Sequence, residues 1–331
     1  MRSILYVAAL LCPAAVNAQR AGEPIIDMHL HAYQVGFAGS AAACTGDQRP
    51  LQPTIDPRSE FDPGELGECP NAVMSPASDI DNLAQTLAAL KSLNIRRAVT
   101  GDALPNVADW HAAAPAVIIP ALNFAPRTPV AVGEFRRLHK RGVFSVFAEV
   151  MPQYRGVRAD DPRYEPYFAL AEELDIPVGI HLGEGPPAAA RFPGYHDYRA
   201  SLTSPFQLEK VLHKHPKLRI YVMHYGSPLV DEMIAMMFTH PNLYVDIAGN
   251  NWLSPPAQFH DHLKRMIDAG FEQRIMFGSD QMIWPGVIEK AVATVDTANY
   301  LTKRQKRDIF YNNAARFLRL TKDQIAADHA R

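Results

Sequence analysis

Short apolar runs and amphipathic stretches alternate along most of the chain. In the stretch SDIDNLAQTLAALKSLNI, the residues Leu83, Leu87 and Leu90 recur at the spacing of one helical face, and Ser78 or Asp79 is placed to cap the helix. Runs such as VFSVFAEV and RIYVMHYG are short and apolar throughout, which is the pattern of buried strands. This pattern therefore predicts strands and helices that alternate along the chain.

The pattern gives eight predicted strands, most of them followed by a predicted helix. The strands are PIIDMHLH (24–31), RRAVTGD (96–102), AVIIPALNF (116–124), VFSVFAEV (143–150), PVGIHLGEG (177–185), RIYVMHYG (219–226), LYVDIAGNN (243–251) and RIMFGSDQ (274–281). The helices are predicted at 78–95, 132–142, 164–175, 204–216, 228–241, 258–270 and 303–320.

This order of elements predicts an α/β fold of the (β/α)8 TIM-barrel type. Strands that alternate with helices form parallel sheets, and eight such units in one chain favour a closed barrel. An open doubly wound sheet is the alternative, but no glycine-rich phosphate loop follows the first strand. We predict one barrel domain over residues 19–331.

Composition narrows the class of partner. The chain has 331 residues, of which 47% are hydrophobic and 21% charged, and its formal net charge is -2. It therefore lacks the basic patch of a nucleic-acid-binding protein and the polybasic surface that binds anionic membranes. Small-molecule substrates are the expected partners, and the sequence leaves an oligomer open.

The N-terminus is typical of a secretory signal. Arg2 precedes an apolar run from Ile4, and the small residues around Ala18 suit cleavage after that position. We therefore predict a signal peptide over residues 1–18 and an exported protein, periplasmic or secreted. An uncleaved anchor is the alternative, although the apolar run is short for a bilayer.

Residues 32–78 have no clear periodicity and are rich in Pro, Gly and Ala. An irregular segment of this length is usually a functional lid or a disordered stretch, and we predict a lid. It contains Cys44 and Cys69, the two cysteines that remain once the predicted signal and Cys12 are removed. Export favours a disulfide between them, with two free thiols as the alternative.

Polar residues interrupt five of the predicted strands close to their C-terminal ends, where TIM barrels place their chemistry. They are His29, His31, Glu149, His181, His224 and Asp280. Imidazole suits zinc, and carboxylate completes a site that leaves a position open for water. We therefore predict one or two divalent ions, with Zn²⁺ expected.

The quoted motifs DMHLH, HLGEG, MHYG and FGSD, at strands one, five, six and eight, resemble the amidohydrolase superfamily of amidohydrolase 2-type TIM-barrel metal-dependent hydrolases. HPNLYVDIAG and NNAARFLRL look like the same branch, so the resemblance runs from Pro24 to about Leu320. It implies a barrel enzyme with its metal site at the strand ends.

The resemblance also implies roles for the strand-end residues. His29 and His31 look like ligands of a first metal, with Asp280 opposite them as ligand and general base. In one-metal members His181 resembles the third histidine ligand, and His224 resembles a group that handles protons or orients water. In two-metal members His181 and His224 bind a second ion.

Glu149 stands where two-metal members carry a bridging side chain, often a carboxylated lysine and sometimes a glutamate. The alternative for Glu149 is an ion pair with an arginine such as Arg155. Asp27 is expected to orient the strand-one histidines. Further candidates for substrate contact lie on the loops around the rim: Tyr154, Arg155, Glu184, Asn250, Asn251, Trp252 and Trp284.

The sequence thus predicts a metal-dependent hydrolase whose zinc-activated water attacks an amide, ester or lactone carbonyl. The alternatives are a metal-dependent decarboxylase or hydratase of the same superfamily and a non-catalytic exported binding barrel. The remaining histidines on predicted helices are expected at the surface: His139, His213, His215, His240, His260 and His262.

Overall fold

The computed structural model describes residues 22–36, 42–48, 56, 58–60, 62, 68–124, 130–192 and 194–330. Eight parallel strands form a barrel, which confirms the fold predicted from the sequence. They are β1 (Ile25–His31), β2 (Ile95–Asp102), β3 (Ile118–Leu122), β4 (Phe147–Val150), β5 (Val178–His181), β6 (Ile220–Met223), β7 (Leu243–Asp246) and β8 (Ile275–Met276).

Backbone hydrogen bonds close the barrel at two places. Strands β1–β3 form one continuous ladder and β4–β8 another. The amide of Met28 donates to the carbonyl of Phe277 at 2.9 Å, which joins β1 to β8. The amide of Leu122 donates to the carbonyl of Val146 at 2.9 Å, which joins β3 to β4. The C-terminal ends of all eight strands therefore share one rim.

Helices surround the barrel. The longer ones are α1 (Asp79–Ser92), α2 (Leu104–Ala113), α3 (Val132–Lys140), α4 (Glu165–Glu173), α5 (Glu209–Lys214), α6 (Val230–Thr239), α7 (Pro256–Asp268), α8 (Gly286–Asp296) and α9 (Lys322–His329). A short helix at Asn250–Leu253 follows β7, and Lys303–Arg307, Asp308–Asn312 and Asn313–Phe317 run on as one helix with a π turn in its middle.

The pattern of the sequence did not predict α2, α8 or α9. Only Val107 and Trp110 of α2 are buried, so its apolar face is too sparse to give a helical period. In α8 the buried residues Val287, Ile288, Ala291, Val292 and Val295 do recur at the spacing of one helical face, so this helix was overlooked rather than hidden.

The interior of the barrel is filled with apolar side chains below the rim. Met28, Val99, Tyr221 and Met276 belong to one buried cluster, which also includes Phe317 from the C-terminal helix. Helix α9 packs below this cluster. The barrel is therefore a packed core, and only its rim is available for chemistry.

Part of the predicted lid lies within the described residues. The structure joins Cys44 and Cys69 by a disulfide and pairs Ala42–Ala43 with Val73–Met74 in a short antiparallel ribbon. The amide of Gly46 donates to the carbonyl of Trp252 at 2.8 Å, so the segment 42–48 rests on the loop after β7. The predicted signal, 1–18, lies outside the described residues. Within those residues, no helix is long and apolar enough to cross a bilayer.

Three of the six histidines expected at the surface are buried instead. His215 lies 3.1 Å from Glu165 and 3.2 Å from Glu172, between two helices. His262 contacts the hydroxyl of Tyr225, and His240 packs against the ring of His213. Each finds partners on a neighbouring element, which helix periodicity does not show.

Candidate metal centre

Two histidines of β1 and the aspartate after β8 form the first group of donor atoms. His29 Nε2 lies 3.1 Å from His31 Nε2, and Asp280 Oδ1 lies 3.1 Å from His31 Nε2 and 3.5 Å from His29 Nε2. All three side chains are buried. The bulge in β1 between Asp27 and Leu30, together with strand alternation, sends both imidazoles to the barrel axis.

Glu149 and two further histidines form the second group. His181 Nδ1 lies 2.6 Å from Glu149 Oε1, and His224 Nε2 lies 3.8 Å from the same oxygen. The other oxygen of Glu149 lies 3.9 Å from His29 Nε2 and 3.7 Å from His31 Nε2. Glu149 thus lies between the two groups, and the alternative pairing with Arg155 is wrong for this structure.

The donor set fits a divalent cation. Donor atoms of His29, His31 and Asp280 lie within 4.8 Å of one another, and so do those of His29, Glu149 and His224. Two imidazole Nε2 atoms at 3.1 Å leave little room for a proton on each nitrogen. Among the described residues, buried His181 Nε2 also has no hydrogen-bond partner. Lone pairs crowded in this way suit a cation.

Electrostatics keep the two carboxylates of the centre ionised. Burial alone would raise the pKa of Glu149, but the imidazoles of His181 and His224 hold it well below the usual value. Burial likewise opposes ionisation of Asp280, and the charge of His29 together with the hydrogen bond to His31 lowers its pKa. Both groups are therefore anionic near neutral pH and available as ligands.

The histidines respond to the same charges. Burial lowers the pKa of His29, but the carboxylates of Asp280 and Asp246 outweigh it and raise the pKa to about 10. Burial lowers the pKa of His181 below its ordinary value. A cation at the centre would replace the proton that the carboxylates otherwise hold on His29.

Asp246, at the end of β7, is a site residue that sequence reasoning missed. It is fully buried, and its Oδ2 lies 3.2 Å from His29 Nδ1. Its Oδ1 accepts the amides of His224 at 2.8 Å and Ala248 at 3.1 Å. One carboxylate therefore fixes the ring of His29 and the backbone that carries His224. The strand-end rule applied to the other ligands would have found it.

Asp27 orients the same strand from the other side. Its Oδ1 accepts the amides of His29 at 3.0 Å and Ser279 at 2.9 Å, which ties β1 to the loop after β8. Burial raises the pKa of Asp27 to about 6, although its hydrogen bonds oppose the shift. Its position agrees with the orienting role expected from the sequence.

The backbone near the ligands is strained in ways that bring them together. His224 and Asp280 have positive φ angles of 61° and 52°, which residues other than glycine rarely adopt. Gly249 has a φ of 69°, and a Cβ there would lie 2.8 Å from Asp280 Oδ2 and 3.2 Å from His224 Nδ1. Glycine at this position lets the loop after β7 pass beside both side chains.

The rim residues predicted to contact substrate fall into two kinds. Asn251 Nδ2 donates to the carbonyl of Gly278 at 2.8 Å, and Trp252 Nε1 donates to that of Ser279 at 2.7 Å. Both side chains are buried, so their donors hold the loop after β7 against the end of β8. Trp284 packs edge-on against Trp252 and is also buried.

The remaining rim residues lie nearer the opening. Glu184 is exposed and accepts hydrogen bonds from Ser227 Oγ at 3.0 Å and Asn250 Nδ2 at 3.3 Å. The ring of Tyr154 lies 4.8 Å from that of His181, measured between centroids. Arg155 follows it and is half-buried. Tyr33, which the sequence did not single out, stacks on His31 with ring centroids 4.3 Å apart.

Comparison with known proteins assigns the chain to a family. The family model described as amidohydrolase matches residues 26–320, which is most of the chain and includes all six predicted ligands. A search of the curated proteins returned no match.

Solved structures share the barrel at low sequence identity. An uncharacterised TIM-barrel protein from Bordetella bronchiseptica is 21% identical, with a TM-score of 0.57 and coverage of 78% of this chain and 87% of that one. A probable 2-pyrone-4,6-dicarboxylic acid hydrolase from Acinetobacter baumannii, with citric acid bound, is 12% identical, with a TM-score of 0.58 and coverage of 89% and 99%. A 5-carboxyvanillate decarboxylase from Novosphingobium aromaticivorans, complexed with manganese, is 19% identical, with a TM-score of 0.54 and coverage of 71% and 79%.

Proposed function

The chain belongs to the amidohydrolase family, and we propose that it is a metal-dependent hydrolase that adds water to the carbonyl of a small amide, ester or lactone. Family membership makes the protein an enzyme, which removes the non-catalytic binding barrel from the alternatives. The proposal depends above all on one observation. One oxygen of Glu149 faces His181 and His224, and the other faces His29 and His31.

This arrangement supports a site for two cations. His29, His31 and Asp280 would hold the first, His181 and His224 the second, and Glu149 would contact both. When bound, such ions lower the pKa of water and polarise a substrate carbonyl. Four imidazoles in the set favour zinc, although the manganese complex of the decarboxylase makes manganese the alternative.

The protein's own groups are arranged for proton transfer. Because its pKa is lowered, Asp280 is ionised at neutral pH and can accept the proton that the attacking water loses. His224 Nδ1 lies 3.0 Å from the carbonyl of Ala248, which can only accept, so Nδ1 carries the hydrogen and Nε2 faces Glu149. Asp246 holds His29 in the equivalent tautomer through its Nδ1.

Decarboxylation is the second candidate function. The decarboxylase complexed with manganese shares the barrel, so the fold accommodates either reaction. The two differ in whether water ends in the product. A hydrolase incorporates one oxygen of solvent water into the acid it forms, whereas a decarboxylase releases carbon dioxide.

The first experiment measures metal content and reaction type together. Purified protein reconstituted with zinc or manganese is expected to hold two ions per chain, and Glu149→Gln is expected to hold one. The exposed Glu173, which pairs with Arg136 on the outer surface, offers a matched control in Glu173→Gln. An unchanged ion count in Glu149→Gln would exclude the shared-ligand arrangement.

The reaction is then assigned with a panel of lactones, amidated amino acids and aromatic acids in ¹⁸O-labelled water. Label in the product acid is the expected result. Carbon dioxide release without label would replace hydrolysis by decarboxylation.

We also propose that the protein is exported after removal of residues 1–18. The sequence pattern around Ala18 is the support for this proposal. N-terminal sequencing of the protein from its native host is expected to begin at Gln19. A chain that begins at Met1 would exclude cleavage.

A further inference from the structure

A three-residue turn after β4, Gln153–Arg155, lies beside the metal centre and is held rigidly. Gln153 is fully buried, and its Nε2 lies 3.0 Å from the carbonyl of Gly183 and 2.8 Å from Thr203 Oγ1. These contacts tie the turn to the loop after β5. The two residues that follow Gln153 are therefore presented from a fixed backbone.

The loop at 195–198 packs closely against this turn. Gly156 ends the turn with a φ of 63°, and a Cβ there would lie 2.6 Å from the carbonyl oxygen of Asp197. The hydroxyl of Tyr198 accepts the amide of Gly185 at 2.8 Å. Only glycine at 156 permits this approach, which brings Tyr195 next to the turn.

Tyr154 and Tyr195 form an aromatic wall that leads outward from the ligands. The ring of Tyr154 lies 4.8 Å from that of His181 and 5.0 Å from that of Tyr195. Burial raises the pKa of Tyr154 and keeps its hydroxyl protonated.

Arg155 follows Tyr154 as the last residue of the same turn. Its side chain is half-buried, and within the described part of the chain its buried Nε has no hydrogen-bond partner. Arg155 stands between Tyr154, whose ring contacts Tyr195, and Gly156, which packs against Asp197, so it follows the same loop. Burying part of a guanidinium without an anion costs free energy, which a bound anion would offset.

We propose that Arg155 and Tyr195 form a subsite for a carboxylate of the substrate, whose apolar body lies against the ring of Tyr154. The inference rests on the proposed function, because it places the reacting carbonyl at the ligands beside His181. The substrate would then be a small organic acid that carries its carboxylate away from the bond that is cleaved.

The chemistry of the groups favours a carboxylate over a neutral polar group. A guanidinium presents paired N–H donors that match the two oxygens of a carboxylate, and a tyrosine hydroxyl can add a third hydrogen bond. With two divalent cations bound, the centre itself would also attract an anion. A fixed positive charge away from the ligands would therefore be needed to hold the carboxylate at the rim and leave the carbonyl for the centre.

The experiment uses benzoate and benzamide as probes of the metal-loaded full-length protein. The two have the same shape, and benzoate alone carries the charge. Affinity is measured by ligand-observed NMR or calorimetry, and metal content is measured in every sample. Arg155→Met is expected to weaken benzoate about tenfold and to leave benzamide unchanged. Tyr195→Phe is expected to weaken benzoate severalfold, with the fold checked by circular dichroism.

Arg158→Met is the matched control, because Arg158 lies three residues on, is exposed and pairs locally with Asp160. It should leave both affinities unchanged. Equal benzoate affinity in the wild type and Arg155→Met would overturn the subsite, and so would an equal loss for benzamide. The readout needs no turnover. Benzoate binding that depends on Arg155 in a protein inactive on every carbonyl tested would overturn the proposed hydrolysis and leave the subsite standing.

Discussion

The two ends of the barrel handle buried charge in opposite ways. At the N-terminal end, the carboxylate of Asp328 in α9 accepts three hydrogen bonds. The donors are Arg97 Nε at 2.7 Å, Arg97 Nη2 at 3.1 Å and the hydroxyl of Tyr311 at 2.8 Å. Asp328, Arg97 and Tyr311 therefore each have a partner at hydrogen-bond distance. Such a cluster stabilises the closed end of the barrel and leaves nothing free to react.

At the rim, like groups face one another instead. His29 Nε2 points at His31 Nε2, and Glu149 and Asp280 lie near both rings. Two imidazole nitrogens at 3.1 Å cannot both carry a proton, and His224 and Asp280 add strained backbone. The difference shows that burial alone does not reveal a role. A buried polar group whose neighbours supply all its hydrogen bonds has a structural role, whereas one that lacks partners is a candidate for chemistry.

The largest effect is expected for Asp280→Asn. The amide cannot accept a proton or bind a cation as a carboxylate does, so kcat/KM is expected to fall by about 1000-fold, or roughly 4 kcal/mol. The free energy of unfolding of the metal-free protein should fall modestly, because His29 and His31 stabilise the ionised carboxylate that is removed. Kinetics and denaturant titration check the two parts. A large loss of stability with activity preserved would make the rim resemble the other end.

Asp328→Ala is expected to lower the stability of the protein and to leave its activity unchanged. It leaves the half-buried guanidinium of Arg97 without its partner, so the free energy of unfolding is expected to fall by about 3 kcal/mol. Activity in the folded enzyme should stay at the wild-type level. Denaturant titration and kinetics check this, with the exposed Asp323 of the same helix as control in Asp323→Ala. A loss of kcat without a loss of stability would remove the contrast between the two ends.

Sequence reasoning reached the barrel because hydrophobic periodicity repeats at every unit. It missed α2, whose two buried residues are too few to show a helical face, and it overlooked α8, whose buried residues recur at helical spacing. Strand-end polarity found the six candidate ligands because parallel strands deliver their last residues to one rim. The same polarity ends β7 in Asp246, and that signal was overlooked.

The contacts of these residues could not be predicted. Whether Glu149 meets Arg155 or His181 depends on side-chain directions that tertiary packing sets. The same holds for Asn251 and Trp252, whose polar groups reach backbone carbonyls across a loop boundary. A residue type and a strand end predict proximity, whereas the partner of each donor follows only from the fold.

Asp246→Asn is expected to have a smaller effect on the rim than loss of a ligand. The asparagine side chain has one accepting oxygen instead of two. If that oxygen still accepts the backbone N–H groups of His224 and Ala248, none is left for His29 Nδ1, and the ring of His29 loses its fixed tautomer. Metal affinity is expected to fall by about 10- to 100-fold. Metal titration with a competing chelator measures it, and circular dichroism tests the fold. Unchanged affinity would show that packing alone orients His29.

The last effect concerns Asp27, a rim carboxylate whose pKa burial raises. The pKa of Asp27 is about 6 in the folded protein, against 3.8 when it is exposed, so the folded state binds more protons between these values. Stability therefore falls as pH rises from about 4 to about 6, and the loss persists above that range. Asp27→Asn keeps an acceptor for the amides of His29 and Ser279 and removes the charge. Its metal-free stability, relative to the wild type, should be greater at pH 7.5 than at pH 4 by about 2 kcal/mol. A difference independent of pH, measured by denaturant titration, would mean that Asp27 is fully compensated, as Asp328 is at the opposite end.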